Sequence, residues 1–152
     1  MNKQEQYEEL TRQARGLLAG ERDRVANAAN LSALIWHGLP DLNWCGFYFL
    51  KGTELVLGPF QGKPACVRIA LGSGVCGAAA QERRTMIVRD VHEFPGHIAC
   101  DGASNAELVV PLIKDGRLVG VLDLDSPHLA RFDEEDAAGI EALARAWLEA
   151  SD

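Results

Sequence analysis

The stretch ELVVPLIKDGRLVGVLDLD, from Glu107 to Asp125, decides the fold. Two apolar runs flank Asp115-Gly116, and an Asp-Gly pair between such runs is a strong hairpin signal. Strands are predicted over Glu107 to Ile113 and over Arg117 to Asp125. Strands joined by a tight turn pair antiparallel, so the sheet that they begin is antiparallel.

Upstream, Trp44 to Leu50 is rich in aromatic residues and reads as a strand. Lys51-Gly52-Thr53 turns it into a second strand, Glu54 to Gly58. Cys66-Val67-Arg68-Ile69 is a short third strand. Gly72-Ser73-Gly74 leads into a short helix from Val75 to Arg84, and Thr85 to Val88 is another strand. Arg89 to Ala106, with Pro95, Gly96, Gly102 and Asn105, is a long irregular segment of the kind that often carries function.

Helices bracket these strands. Lys3 to Leu18 sets Tyr7, Leu10, Ala14 and Leu17 or Leu18 along one side, and Gly20 marks its end. A second helix is predicted from Glu21 to Trp36, with Val25, Ala28, Ala29, Ser32 and Ile35 at helical spacing; His37-Gly38-Leu39-Pro40 stops it. Phe132-Asp133-Glu134-Glu135 opens a closing helix, with acids in the first turn where the helix dipole favours them. That helix buries Ile140, Leu143, Ala144, Trp147 and Leu148. The expected architecture is α+β, one domain over 1–152 with a central, mainly antiparallel sheet flanked by helices.

Composition narrows the function classes. The 152 residues are 47% apolar, enough for a core without disulfide staples. The net charge is −7 and the Lys and Arg residues are scattered, which argues against nucleic acid as a partner. No apolar run is long enough for a membrane span. The first residues, MNKQEQYEELTRQARG, lack the apolar stretch of a signal peptide, so the cytoplasm is the expected compartment.

In a reducing compartment the four cysteines are catalytic, metal-binding or buried rather than structural disulfides. No CxxC pair is present. Cys45 lies between Trp44 and Gly46 in an apolar strand and reads as core. Cys66, Cys76 and Cys100 lie beside small or turn residues, where thiols can approach one another for disulfide exchange. Cys76 sits near the start of a short helix, whose dipole is expected to lower its thiol pKa. His92, His97 and Cys100 match no familiar zinc spacing. His97 is instead a candidate for favouring the Cys100 thiolate.

Asp123 and Asp125 are two apart on a strand and share a face, with Val119 and Val121 preceding them. Two carboxylates ending an apolar face suit a site that binds an ammonium group or holds a proton; a strand ending at solvent is the alternative. A two-residue turn at Asp115-Gly116 would set Glu107 opposite Leu124, facing away from both. A three-residue turn with a bulge would bring all three acids to one face. Trp44 and Tyr48 also share a face, as core residues or as the wall of a pocket for a sulfur-containing ligand.

Several segments together resemble the free methionine-(R)-sulfoxide reductase family: Asn43-Trp44-Cys45-Gly46-Phe47-Tyr48, Gly58-Pro59-Phe60-Gln61-Gly62-Lys63-Pro64-Ala65-Cys66 and Gly74-Val75-Cys76-Gly77. Asp90-Val91-His92-Glu93-Phe94-Pro95-Gly96-His97-Ile98-Ala99-Cys100-Asp101 and Ser104-Asn105-Ala106-Glu107 extend the likeness. Cys45, Gly102 and Ala106 depart from the family's pattern. The resemblance implies a GAF-type domain. It implies Cys100 as nucleophile, Cys66 as the main resolving cysteine and Cys76 as a further redox cysteine. It implies that Glu107, Asp123 and Asp125 bind the substrate amino group or assist proton transfer, and that Trp44 and Tyr48 enclose the methylsulfinyl end. The implied substrate is free methionine sulfoxide and the implied reductant a dithiol such as thioredoxin. No metal and no organic cofactor are implied. The first helix is a candidate homodimer contact. The rival readings are a ligand-sensing GAF module without catalysis and a thiol-based peroxide sensor.

Overall fold

A computed structural model describes residues 1–96 and 102–152. The elements run α1 (Lys3–Leu18), α2 (Arg24–Gly38), β1 (Trp44–Lys51), β2 (Glu54–Gly62), β3 (Arg68–Ala70), α3 (Gly74–Glu82), β4 (Met86–Val88), a 3-10 turn (Val91–Glu93), β5 (Ala106–Lys114), β6 (Arg117–Ser126) and α4 (Glu134–Ala150).

Asp115 and Gly116 both take positive φ, 52° and 77°. Two consecutive left-handed residues match the right-handed twist of the strands they join, so the turn has two residues. The register nevertheless shifts. Lys114 pairs with Arg117 and Ile113 with Leu118, but Leu112 pairs with Gly120, leaving Val119 as an extra residue in β6. Gly120 is required there, because a Cβ would collide with the Tyr48 carbonyl oxygen on β1. Beyond the bulge, Glu107 pairs with Asp125 and Val109 with Asp123. The bulge thus gives the register expected of the longer turn.

The sheet has six strands in the order β3-β2-β1-β6-β5-β4, and every pairing is antiparallel. Both faces are covered, which is why Trp44 to Phe49 are all buried on β1. One face packs on α1, α2 and α4 through Phe47, Phe49, Leu108, Leu122, Leu124 and Trp147. The other packs on α3 through Tyr48, Leu55, Val75, Ala79, Val109 and Val121.

Local expectations were corrected at several points. α2 begins at Arg24, capped by the Asp23 carboxylate, which accepts from the Val25 and Ala26 amides. Val25 lies in that first turn and is 53% exposed; Asn27, Ala28, Leu31, Ser32 and Ile35 form the buried stripe. β2 runs on to Gly62, and β3 starts at Arg68 rather than Cys66. Val119 does not share the face of Val121: the bulge turns it toward the three-helix side.

Candidate active site

The site is built on the α3 face of the sheet by register. On β1, Trp44 pairs with Asp125, Gly46 with Asp123 and Tyr48 with Val121. On β5, Glu107 stands across from Asp125. Period-two alternation then sends Trp44, Tyr48, Glu107, Asp123 and Asp125 to the same side. Cys76 on α3 closes over them, its thiol 3.8 Å from Glu107 Oε2. These six side chains line one pocket.

The aromatic wall is fixed by polar contacts at its rim. Trp44 stacks on Tyr48 and on Phe60, with centroids 5.8 and 5.2 Å away. Trp44 Nε1–H donates to the Lys63 carbonyl (3.1 Å) and Tyr48 O–H to the Cys66 carbonyl (2.8 Å). Both aromatics are therefore buried and pocket-lining at once.

Glu107 and Asp123 are 7% and 5% exposed, and Asp125 is half-buried. Burial drives the Glu107 carboxyl well above its ordinary range, and the charge of Asp123 pushes it further. Asp123 is raised too, first by burial and then by Asp125. Adjacent carboxylates away from water disfavour full ionisation, so the cluster holds a proton more tightly than free carboxyls do. Asp123 Oδ1 has no hydrogen-bond partner among the described residues. No Lys, Arg or His lines the pocket among the described residues. A cavity with excess negative charge and an unmet acceptor is suited to a small cation.

The Cys76 thiol is also pushed up, by burial and then by Asp123 and Glu107. That corrects the expectation of a lowered value: the dipole of α3 is outweighed by desolvation and three neighbouring acids. Cys45 is fully buried on the opposite face, as its setting in an apolar strand implied. Cys66 is half-buried beside the pocket wall and is disulfide-bonded. His92 sits on the 3-10 turn against Asp90, Nδ1 to Oδ1 2.8 Å, and does not line the pocket. Cys100 and His97 lie outside the described residues.

Sequence reasoning assigned no role to the further lining residues, among them Pro64, Ala65, Ser73 and Ser104. Ser104 Oγ accepts from Asn43 Nδ2 (2.9 Å), which ties the segment before β5 to the start of β1. Ser73 caps α3 without a side-chain bond to the helix. The glycines around it, Gly72 and Gly74, were the available signal: their φ values of 86° and 62° bring the chain tightly into α3. Among the described residues, Cys76 with Glu107 and Asp123 forms a group able to hold a metal ion, one ligand atom from each lying within 4.8 Å of the others.

The chain is similar to known proteins over most of its length. The GAF domain family matches residues 29–146. The free methionine-R-sulfoxide reductase of Escherichia coli (strain K12) is 52% identical over 143 residues, covering 94% of this chain and 87% of that protein. The Saccharomyces cerevisiae protein of the same name is 46% identical over 153 residues, 95% of this chain and 85% of that one. The crystal structure of free methionine-R-sulfoxide reductase from Neisseria meningitidis, in complex with its substrate, superposes with a TM-score of 0.95. It is 45% identical and the match covers 99% of this chain and 90% of that chain.

Proposed function

The chain belongs to the free methionine-R-sulfoxide reductase family of GAF domains, and we propose that it reduces free methionine-(R)-sulfoxide with Cys100 as the attacking thiolate. The observation that carries this reading is the buried pair Glu107 and Asp123, with an unmet oxygen on Asp123, beside the Trp44–Tyr48 wall. The carboxylates receive the substrate ammonium, and the aromatic wall receives the sulfur and its methyl group. A peptide-linked methionine carries no ammonium and would leave buried negative charge uncompensated.

A sulfoxide oxygen leaves sulfur readily only once protonated, and the acid cluster supplies that proton. The Cys100 thiolate attacks sulfur; the oxygen passes to the cysteine, giving a sulfenic acid and methionine. The Cys66 thiol then displaces that oxygen as water and forms a disulfide. A dithiol such as thioredoxin returns two electrons and two protons. Disulfide bonding at Cys66 supports its resolving role. Cys76 is a further thiol for exchange, and its raised pKa makes it a poor first nucleophile.

The test is methionine formation from the free sulfoxide with a dithiol reductant. Cys100→Ser is expected to abolish turnover, and Cys66→Ser to stop after about one product per chain, since the sulfenic acid then lacks its resolving thiol. Undiminished steady-state turnover in Cys100→Ser would refute the assignment.

A further inference from the structure

The pocket holds one donor that an ammonium group does not need. Oxygen acceptors alone suffice for an ammonium; here a thiol joins them, buried and within hydrogen-bonding distance of Glu107. A set of one sulfur and two carboxylate oxygens, with no basic side chain among the described lining residues, is the ligand chemistry of a borderline-soft divalent cation rather than of calcium or magnesium. We infer that the reduced protein binds a thiophilic divalent cation, with zinc as the type, between Cys76 Sγ, Glu107 and Asp123, and that this cation excludes the substrate.

Three observations carry the site. In a tetrahedral zinc centre with bonds of about 2.0–2.3 Å, neighbouring ligand atoms stand about 3.3–3.8 Å apart. Cys76 Sγ and Glu107 Oε2 are already 3.8 Å apart, and all three ligand atoms lie within 4.8 Å of one another. Closing the remaining gap takes side-chain movement of only ~1 Å. Asp123 lines the pocket, and its buried Oδ1 has no hydrogen-bond partner among the described residues, so it is an acceptor suited to a positive charge.

The third observation concerns rigidity. A Cβ at Gly77 would lie 2.5 Å from the Ala70 carbonyl oxygen. The helix carrying Cys76 is therefore packed backbone against backbone on the end of β3, so the thiol stays in place while the cation arrives. Binding displaces the thiol proton to solvent and leaves a fourth position for water.

Binding of the cation stands apart from the proposed substrate, whereas exclusion of the substrate rests on that reading; two measurements separate them. The Cys66→Ser/Cys100→Ser protein, reduced, retains Cys76 and the fully buried Cys45 on the other face. Titrated with cobalt(II), it is expected to bind one ion per chain with a thiolate-to-cobalt charge-transfer band that zinc abolishes. Adding Cys76→Ser is expected to remove the band, and adding Asp123→Asn instead to weaken binding at least about tenfold. Absence of the band, its survival without Cys76, or unchanged affinity in the Asp123→Asn protein would each overturn the site. In the protein with all its cysteines, zinc is expected to raise the KM for free methionine-(R)-sulfoxide and leave kcat unchanged. A cobalt band that the sulfoxide fails to displace would uphold the metal site and overturn the exclusion.

Discussion

Glu107 stands directly across from Asp125 on the neighbouring strand, and it does so because Val119 is one residue too many in β6. Without that surplus residue the two-residue turn would set Glu107 opposite Leu124, on the three-helix side of the sheet. A local irregularity near the hairpin end thus assembles the acid cluster at the other end. The pairing also explains the electrostatics: register alone brings Glu107, Asp123 and Asp125 to one buried face, and burial with mutual repulsion raises Glu107 and Asp123.

The bulge itself can be tested. Gly120 meets the Tyr48 carbonyl where β6 pairs with β1, with no room for a Cβ. Gly120→Ala is expected to destabilise the protein by about 1–3 kcal/mol, the usual cost of overpacking a close contact. A thermal melt measures it, and an unchanged midpoint would contradict the packing described.

The cluster strains the empty protein, with a defined pH sign. In the unfolded chain Glu107 and Asp123 return to about pH 4. Folded, both are raised, so above that pH the folded state binds more protons than the unfolded one. Their contribution is most favourable below about pH 4 and is lost as the pH rises toward the folded values. Asp123→Asn is expected to flatten this slope and to stabilise the ligand-free, reduced protein near pH 8 by about 1–2 kcal/mol, less near pH 5. Melts in chelator-containing buffer at the two pH values check it; a larger gain at the lower pH contradicts it.

The same proton is expected in the kinetics. Wild-type kcat should fall as the pH passes the raised acid of the Glu107–Asp123 pair, because the proton donor is then lost. Glu107→Gln should lower kcat by about 10²–10⁴-fold and remove that alkaline limb. A Glu107→Gln protein with the wild-type pH profile would take Glu107 out of proton transfer.

The aromatic wall makes a milder prediction. Trp44→Phe keeps a ring stacked on Tyr48 but loses the bond to the Lys63 carbonyl. A sulfur–aromatic contact is worth about 0.3–1.5 kcal/mol, so the KM for the free sulfoxide should rise no more than about tenfold, with kcat little changed. Substrate titration decides; a collapse of kcat would give Trp44 a part in the chemistry itself.

The strands and helices were legible because turn residues and apolar periodicity mark them: Asp115-Gly116, Lys51-Gly52-Thr53 and the stripe from Tyr7 to Leu18. The bulge was not, since nothing in Arg117 to Asp125 distinguishes Val119 from its neighbours; the crowding at Gly120 comes from β1, distant in sequence. The start of α2 was misplaced because Glu21 and Arg22 are compatible with a helix, while the Asp23 cap needs backbone geometry to be recognised. The expected lowering of the Cys76 pKa counted a local dipole and omitted acids brought in from β5 and β6. The acids and the aromatic pair were legible by alternation on their own strands, and register supplied their meeting.

The central claim, that buried carboxylates select a free amino acid by its ammonium group, is tested most directly by comparing kcat/KM for free methionine-(R)-sulfoxide and its N-acetyl derivative on the same preparation. Leaving a buried charge uncompensated costs about 3–5 kcal/mol, so the N-acetyl compound should be at least about a hundredfold poorer. Equal kcat/KM for the two compounds would contradict the account.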